Sequence, residues 1–281
     1  MFTLLNLFFR KNFYDGWDNI ISLFTPNLMM DFTIIICTAL CIPGVTIFKE
    51  SSWYLYIWIL MILIGFCAFG IISIAWAYLA AETADYGTVE FKDFFKRLKA
   101  SIPDGIKYGI TVLIILIFSV FNVKYFLFPA NKEQSVTFAG LLAGFVYLWV
   151  SLVIFMALAW LPAVKAKMND SYLKTVKKCF IIFLDNLFPS VVISIYDFFL
   201  CIISIIMMGS APGLAGVGLS RANALRLILK KYDYIDELNK NGEAQDIPLR
   251  RNIPWKDLLK DDLEANPPRT FKEFWMPWKS N

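Results

Sequence analysis

The stretch "SVVISIYDFFLCIISIIMM" carries one charge, Asp197, inside an apolar run that extends from Asn186 to Ser220. A carboxylate in hydrocarbon is costly unless it is paired or lines a polar path, so Asp197 is the first residue from which function can be argued. It stands eight residues past Pro189, about 12 Å into a bilayer at ~1.5 Å of rise per residue. A partner is available in "APGLAGVGLSRANALRLIL", Ala211–Leu229. If that tract returns across the membrane as a helix, Arg221 lies about 15 Å from its outer end, at a depth similar to that of Asp197. An Asp197–Arg221 pair makes both charges tolerable. It also returns Lys230 and Lys231 to the side where the preceding helix began. The small residues from Ala211 to Gly218 suit close helix packing or a substrate path.

Other chemistries find little support. The chain has no histidine, which removes Ser-His and Cys-His catalysis and histidine metal sites. Its five cysteines, Cys37, Cys41, Cys67, Cys179 and Cys201, lie in or beside apolar runs without a CxxC pair, the pattern of small buried hydrophobes. No GxxxxGK[ST] phosphate loop is present. Asp31 and Asp185 sit at segment ends, where solvation suffices. Ser151, Ser194, Ser204 and Asn122 are too scattered to draw a polar channel. The sequence therefore predicts a non-enzymatic protein with no metal and no cofactor.

The elements that would hold the pair follow from composition. Hydrophobic residues make up 58% of the 281 residues and charged residues only 18%, far from the balance of a soluble domain. The charge-free runs Phe32–Phe48, Ser51–Ala81, Tyr108–Val123, Gln134–Val164 and Asn186–Ser220, broken only by Asp197, compare with the ~20 residues needed to cross a bilayer. The expected fold is an all-α polytopic membrane helix bundle of five to six transmembrane helices. The sixth is the Arg221 tract; the competing reading stops at five and exports the polar tail. Residues 1–27 read as an N-terminal interfacial segment without a cleaved leader, 28–231 as the transmembrane domain, and 232–281 as that tail.

Basic residues fix the orientation. With the N-terminus inside, Arg10, Lys11, Lys92, Lys96, Arg97, Lys99, Lys107, Lys165, Lys167, Lys174, Lys177 and Lys178 are cytoplasmic, against Lys49, Lys124 and Lys132 outside. Two Phe-studded segments, "EFKDFFKRLKASIPDG" and "SYLKTVKKCFIIFLDNLFPS", carry most of this charge. Their apolar residues recur at helical spacing, so each reads as a cytoplasmic interfacial helix with Lys92, Lys96, Arg97 and Lys99, or Lys174, Lys177 and Lys178, facing lipid headgroups or a docked protein. Each follows an Ala-Trp run (Ala75-Trp76, Ala159-Trp160) and ends at a proline, Pro103 or Pro189. This suggests a parallel internal repeat.

Beyond Lys231 the chain turns polar, mixed in charge and rich in proline, unable to bury a core of its own. Trp255, Leu258, Leu259, Phe271, Phe274, Trp275 and Trp278 are nonetheless anchors that need something to pack against: the protein's own cytoplasmic face, the membrane interface or a partner protein. The mixed charge argues against nucleic acid.

Three stretches resemble the YesL-like family of bacterial membrane proteins of unknown function. They are "NLMMDFTIIICTALCIPGVTIF" from Asn27, "EFKDFFKRLKASIPDGIKYG" from Glu90 and "GVGLSRANALRLILKK" from Gly216. The resemblance covers most of the membrane region and none of the tail. The chain departs from that pattern by interposing the run Ser51–Ala81 before the basic segment. The resemblance implies an accessory protein of the bacterial inner membrane, encoded beside binding-protein-dependent carbohydrate ABC importers, and implies no catalytic residues. The leading expectation is thus an accessory or assembly subunit of a membrane complex, partnered by lipids and a protein. The alternative is a small transporter or channel using Asp197.

Overall fold

The computed structural model describes residues 1–47, 53–127, 137–241, 253–269 and 273, and among these there are helices and no strands. In chain order the helices are α1 (Phe2–Asp18), α2 (Ile20–Ile47), α3 (Trp53–Ala84), α4 (Phe91–Leu127), α5 (Phe138–Leu158), α6 (Leu161–Met168), α7 (Tyr172–Asp185), α8 (Leu187–Ile206), α9 (Gly213–Asn241), α10 (Trp255–Leu258) and α11 (Lys260–Ala265). Among the described residues, five segments are long and apolar enough to cross a membrane: Ile20–Ile42, Leu55–Ala84, Lys92–Leu127, Phe138–Met168 and Leu187–Ile206. The chain is a multi-pass membrane protein built as an all-α bundle.

The α3–α4 hairpin is its spine. Gly105 and Gly109 let the two backbones touch: a Cβ on Gly105 would stand 2.5 Å from the Ile71 Cα, and one on Gly109 would stand 2.0 Å from the Phe66 carbonyl oxygen. At ~1.5 Å per residue the 32 residues of α3 and 37 of α4 reach about 48 and 55 Å, well beyond the ~30 Å hydrocarbon core. Burial divides the hairpin accordingly. Trp53, Leu55, Tyr56 and Ile59 at the start of α3 are exposed, as lipid-facing residues are, whereas Ile72, Ile74, Ala75, Trp76, Leu79 and Ala80 toward its end are buried in a packed body.

This length explains a departure from the sequence reading. The first basic segment is not a separate interfacial helix but the opening third of α4, continuous through Pro103. Proline removes one backbone hydrogen bond, to the Lys99 carbonyl, and normally kinks or breaks a helix. Here α3 runs alongside, and Phe94 is buried in one apolar cluster with Ala80 and Ala84 of α3, so tertiary packing carries α4 past the proline. The second basic segment does form its own helix, α7, with Thr175, Cys179, Ile182 and Phe183 buried and Leu173, Ile181 and Leu184 exposed. The two halves of the supposed repeat are therefore built differently. The long run before α7 is also divided, at Ala159 and Trp160, where Pro162 opens α6.

Helix α9 occupies the centre, packed against α1, α2, α3, α6 and α8. Leu219 through Leu225 are all buried. Protein, not lipid, surrounds this helix, so it can carry polar residues that a lipid-facing span could not. Its direction opposes that of α8, because Lys231 Nζ meets Asp185 Oδ2 at 2.7 Å, immediately before α8 begins.

Candidate functional site: a buried ion pair beside a cavity

On α8, Ser190, Ser194 and Asp197 fall at intervals of four and three and share one face. Ser194 Oγ turns back to the Ser190 carbonyl at 2.8 Å. Across from them on α9, Arg221 Nε donates to Asp197 Oδ2 at 2.5 Å and Nη2 donates to Ser194 Oγ at 2.9 Å. The guanidinium lies over the Trp160 ring, 4.8 Å from its centroid, which adds a cation–π contact. The side chains of Arg221 and Asp197 are 3% and 9% exposed. Arg221 Nη1 is buried and has no hydrogen-bond partner among the described residues.

Arg221 also forms part of the wall of an open cavity of about 460 Å³ lined by α2, α3, α4, α8, α9 and the α5–α6 bend. That volume lies within the range of small-molecule sites, ~300–1,000 Å³. Met30, Phe69, Leu214 and Val217 supply apolar wall, and Ser73, Trp76, Tyr108 and Ser204 join Arg221 as its polar members.

The wall is set by an asparagine. Asn27 of α2, 1% exposed, donates from Nδ2 to the carbonyls of Ser210 and Pro212 at 3.1 and 2.9 Å, and its Oδ1 accepts from the Ala215 N–H at 2.9 Å. Trp76 Nε1 donates to the Ala215 carbonyl at 2.8 Å. Gly213 sits at φ +53°, and a Cβ there would meet the Asn27 amide at 2.5 Å, so glycine is required on both counts. Asn27 thus fixes the first turn of α9, and α9 carries Arg221 to Asp197. Below the pair, Asn223 Nδ2 donates to Asn12 Oδ1 at 3.2 Å and Asn12 Nδ2 to the Tyr196 hydroxyl at 3.0 Å, tying α1 to both helices.

The polar end of the molecule forms a second constellation. Asp262 of α11 receives Arg226 Nη2 at 3.1 Å, Lys230 Nζ at 2.5 Å and the Tyr86 hydroxyl at 2.9 Å. Burial opposes ionisation of Asp262, but Lys230, Tyr86 and Arg226 outweigh it and hold the carboxyl below its ordinary range. Burial, then Asp262 itself, pushes the Tyr86 phenol up. Lys11, fully buried, pairs with Asp15 at 2.8 Å and lies 3.8 Å from the Tyr86 ring centroid. Burial lowers the Lys11 pKa and raises that of Asp15.

The structure brings together Asp197 and Arg221, and leaves the other predicted residues elsewhere. Lys92 pairs with Glu90, Lys96 with Asp93 and Lys178 with Asp170; Arg97 lies over Tyr78; Lys99, Lys174 and Lys177 are exposed. In the tail, Leu259 is fully buried and Trp255 packs on the bundle core, while Leu258 is half-buried. Phe271, Phe274, Trp275 and Trp278 lie outside the described residues. Sequence reasoning missed Asn27, Trp76 and Trp160 as site residues. Their signal was a lone asparagine ahead of an apolar run, and the two Ala-Trp pairs that mark corresponding positions in it. Comparison with protein-family models, with curated proteins and with solved structures returns no match to this chain.

Proposed function

We propose that this multi-pass membrane protein is non-enzymatic and serves transport, holding a small molecule in the cavity beside Arg221. One observation carries the reading. A buried guanidinium, neutralised by Asp197 and with Nη1 lacking a hydrogen-bond partner among the described residues, borders a mostly apolar cavity of ligand size. The protein is then a small transporter, or the ligand-holding member of one. The bacterial inner membrane is its place, with the polar end carrying α1 and the tail in the cytoplasm, as the distribution of lysine and arginine favours. The test is to purify the full chain from its own membranes in mild detergent and identify the small molecules retained. A stoichiometric ligand lost in Val217→Phe, which fills the cavity, is the expected result. An empty wild-type protein would overturn the reading.

A second reading is an accessory or assembly subunit of a membrane complex, in keeping with the resemblance to the YesL-like family and its proposed link to carbohydrate ABC importers. What favours it is convergence. The three stretches that carry the resemblance meet here, Asn27 clasping the start of α9, Tyr108 lining the cavity and Arg221 completing the pair. Lys174 and Lys177, exposed on α7, offer a partner a basic surface whose reversal does not disturb the core. Wild-type protein should co-purify with importer subunits and Lys174→Glu/Lys177→Glu should not. Loss of neither or absence of any partner counts against this reading.

A further inference from the structure

We infer that the cavity takes an uncharged single-chain amphiphile from the bilayer, with the oxygen of its head accepting a hydrogen bond from Arg221. The inference rests on the cavity being a ligand site, as proposed above, and adds the class of ligand and its route.

The route follows from the rim. Cys201 and Ile205 lie at the edge of the cavity on α8, and both are exposed, Ile205 to 78%. They belong to the membrane-crossing segment Leu187–Ile206, where the neighbouring exposed side chains, Phe198 and Ile202, are apolar. The mouth therefore opens sideways onto hydrocarbon, and a ligand must first partition into the bilayer. A hydrophilic solute pays to desolvate there, whereas an acyl or isoprenoid chain does not.

The head follows from charge and hydrogen-bond capacity. Two of the guanidinium nitrogens are engaged, Nε by Asp197 and Nη2 by Ser194, and Nη1 is a buried donor without a partner among the described residues. A buried donor without an acceptor is costly, so the head must present an acceptor oxygen. Asp197 already cancels the charge of Arg221. An anionic head would bring an uncompensated negative charge into a low-dielectric site, which is far costlier than a neutral hydroxyl or carbonyl. The Tyr108 and Ser204 side chains in the same wall can serve a second head-group oxygen. Glycerol esters, long-chain alcohols and neutral glycolipids share this chemistry.

The experiment is native mass spectrometry of the full chain released from detergent in the presence of monoolein or oleate at pH 8, probes with one chain and two heads. One monoolein per chain, bound at least tenfold more tightly than oleate, is expected. Asp197→Leu/Arg221→Met, which removes the donor and the counter-charge together, should lower monoolein binding at least tenfold; Ile205→Trp, at an exposed rim position, should reduce binding of both probes. If both bind equally and the double variant changes nothing, the cavity holds chains but the proposed head recognition is wrong. Preference for oleate overturns it as well. If neither probe binds the wild-type chain, this inference falls; the retained-ligand test above then decides separately whether the cavity is a ligand site at all.

Discussion

Arg221 meets Asp197 at 2.5 Å across the α8–α9 interface with both side chains nearly sealed from solvent. In such a pair the cost of desolvating two charges largely offsets their attraction, yet removing one partner leaves the other stranded. Asp197→Ala or Arg221→Ala should therefore destabilise the fold by about 3–5 kcal/mol, while Asp197→Leu/Arg221→Met should lie within about 1–2 kcal/mol of wild type or above it. Thermal unfolding in a fixed detergent reads this directly. Two harmless single variants would mean that the site is wetter, and the pair weaker, than its burial requires.

The pair was legible in the sequence because an aspartate in an apolar run advertises its cost, and counting residues from Pro189 matches its depth to Arg221. The rest of the site was hidden for physical reasons. Asn27 and Trp76 carry no charge, and their hydrogen bonds run to the backbone of residues 210–215, which no periodicity reveals. Helix α9 lacks the hydropathy of a span because protein covers it, so its course depended on tertiary contacts alone. Pro103 signalled a helix end that packing against α3 overrides. The tail read as aromatic anchors in search of a surface; Trp255 and Leu259 pack on the chain's own core.

Asn27 makes three hydrogen bonds to the α8–α9 connection and the first turn of α9, two through its amide N–H groups. Asn27→Asp replaces the donating NH2 group with an oxygen facing two carbonyls, and a charge buried there without a counter-ion is costly. It should cost more than Asn27→Ala, which forfeits the bonds at about 1–3 kcal/mol for each buried group left unsatisfied. Comparing the two unfolding midpoints checks the claim. Equal values would indicate that water already reaches this connection.

The α3–α4 contact predicts a contrast between glycines of one hairpin. A Cβ on Gly109 would collide with the Phe66 carbonyl, and one on Gly105 with the Ile71 backbone, whereas nothing stands within 4 Å of a Cβ on Gly65. Gly109→Ala and Gly105→Ala must separate the helices and should lower the unfolding temperature sharply. Gly65→Ala should be neutral or mildly stabilising, as alanine favours the helix by up to ~1 kcal/mol.

Asp262 supplies a pH test of tail docking. Its folded-state pKa lies below the ordinary value of 3.8, so its contribution is fully present above that pH and is lost as pH falls through the depressed folded value. Protease cleavage after residues 253–269 are freed, measured with pepsin in the acid range, should rise as pH drops below about 4. At pH 7, Asp262→Asn leaves Arg226 and Lys230 without their carboxylate partner on α11 and should release the segment to trypsin. A variant as resistant as wild type would show that the apolar contacts of Trp255 and Leu259 and the Arg269–Asp18 pair hold the tail without Asp262.

The same docking makes the side of the tail measurable. Asp262 touches Arg226 and Lys230, and Arg269 pairs with Asp18 of α1 at 2.9 Å, so α11 and α1 lie on one side of the membrane whichever side that is. Glu264 is exposed and suits a reporter. With the native cysteines removed, Glu264→Cys and Phe2→Cys should react together with a membrane-impermeant maleimide, only after the cells are opened. Labelling of both in intact cells would invert the orientation that lysine and arginine favour. Labelling of one without the other would break the contact between α1 and the tail, and with it the closed polar end on which α9 is anchored.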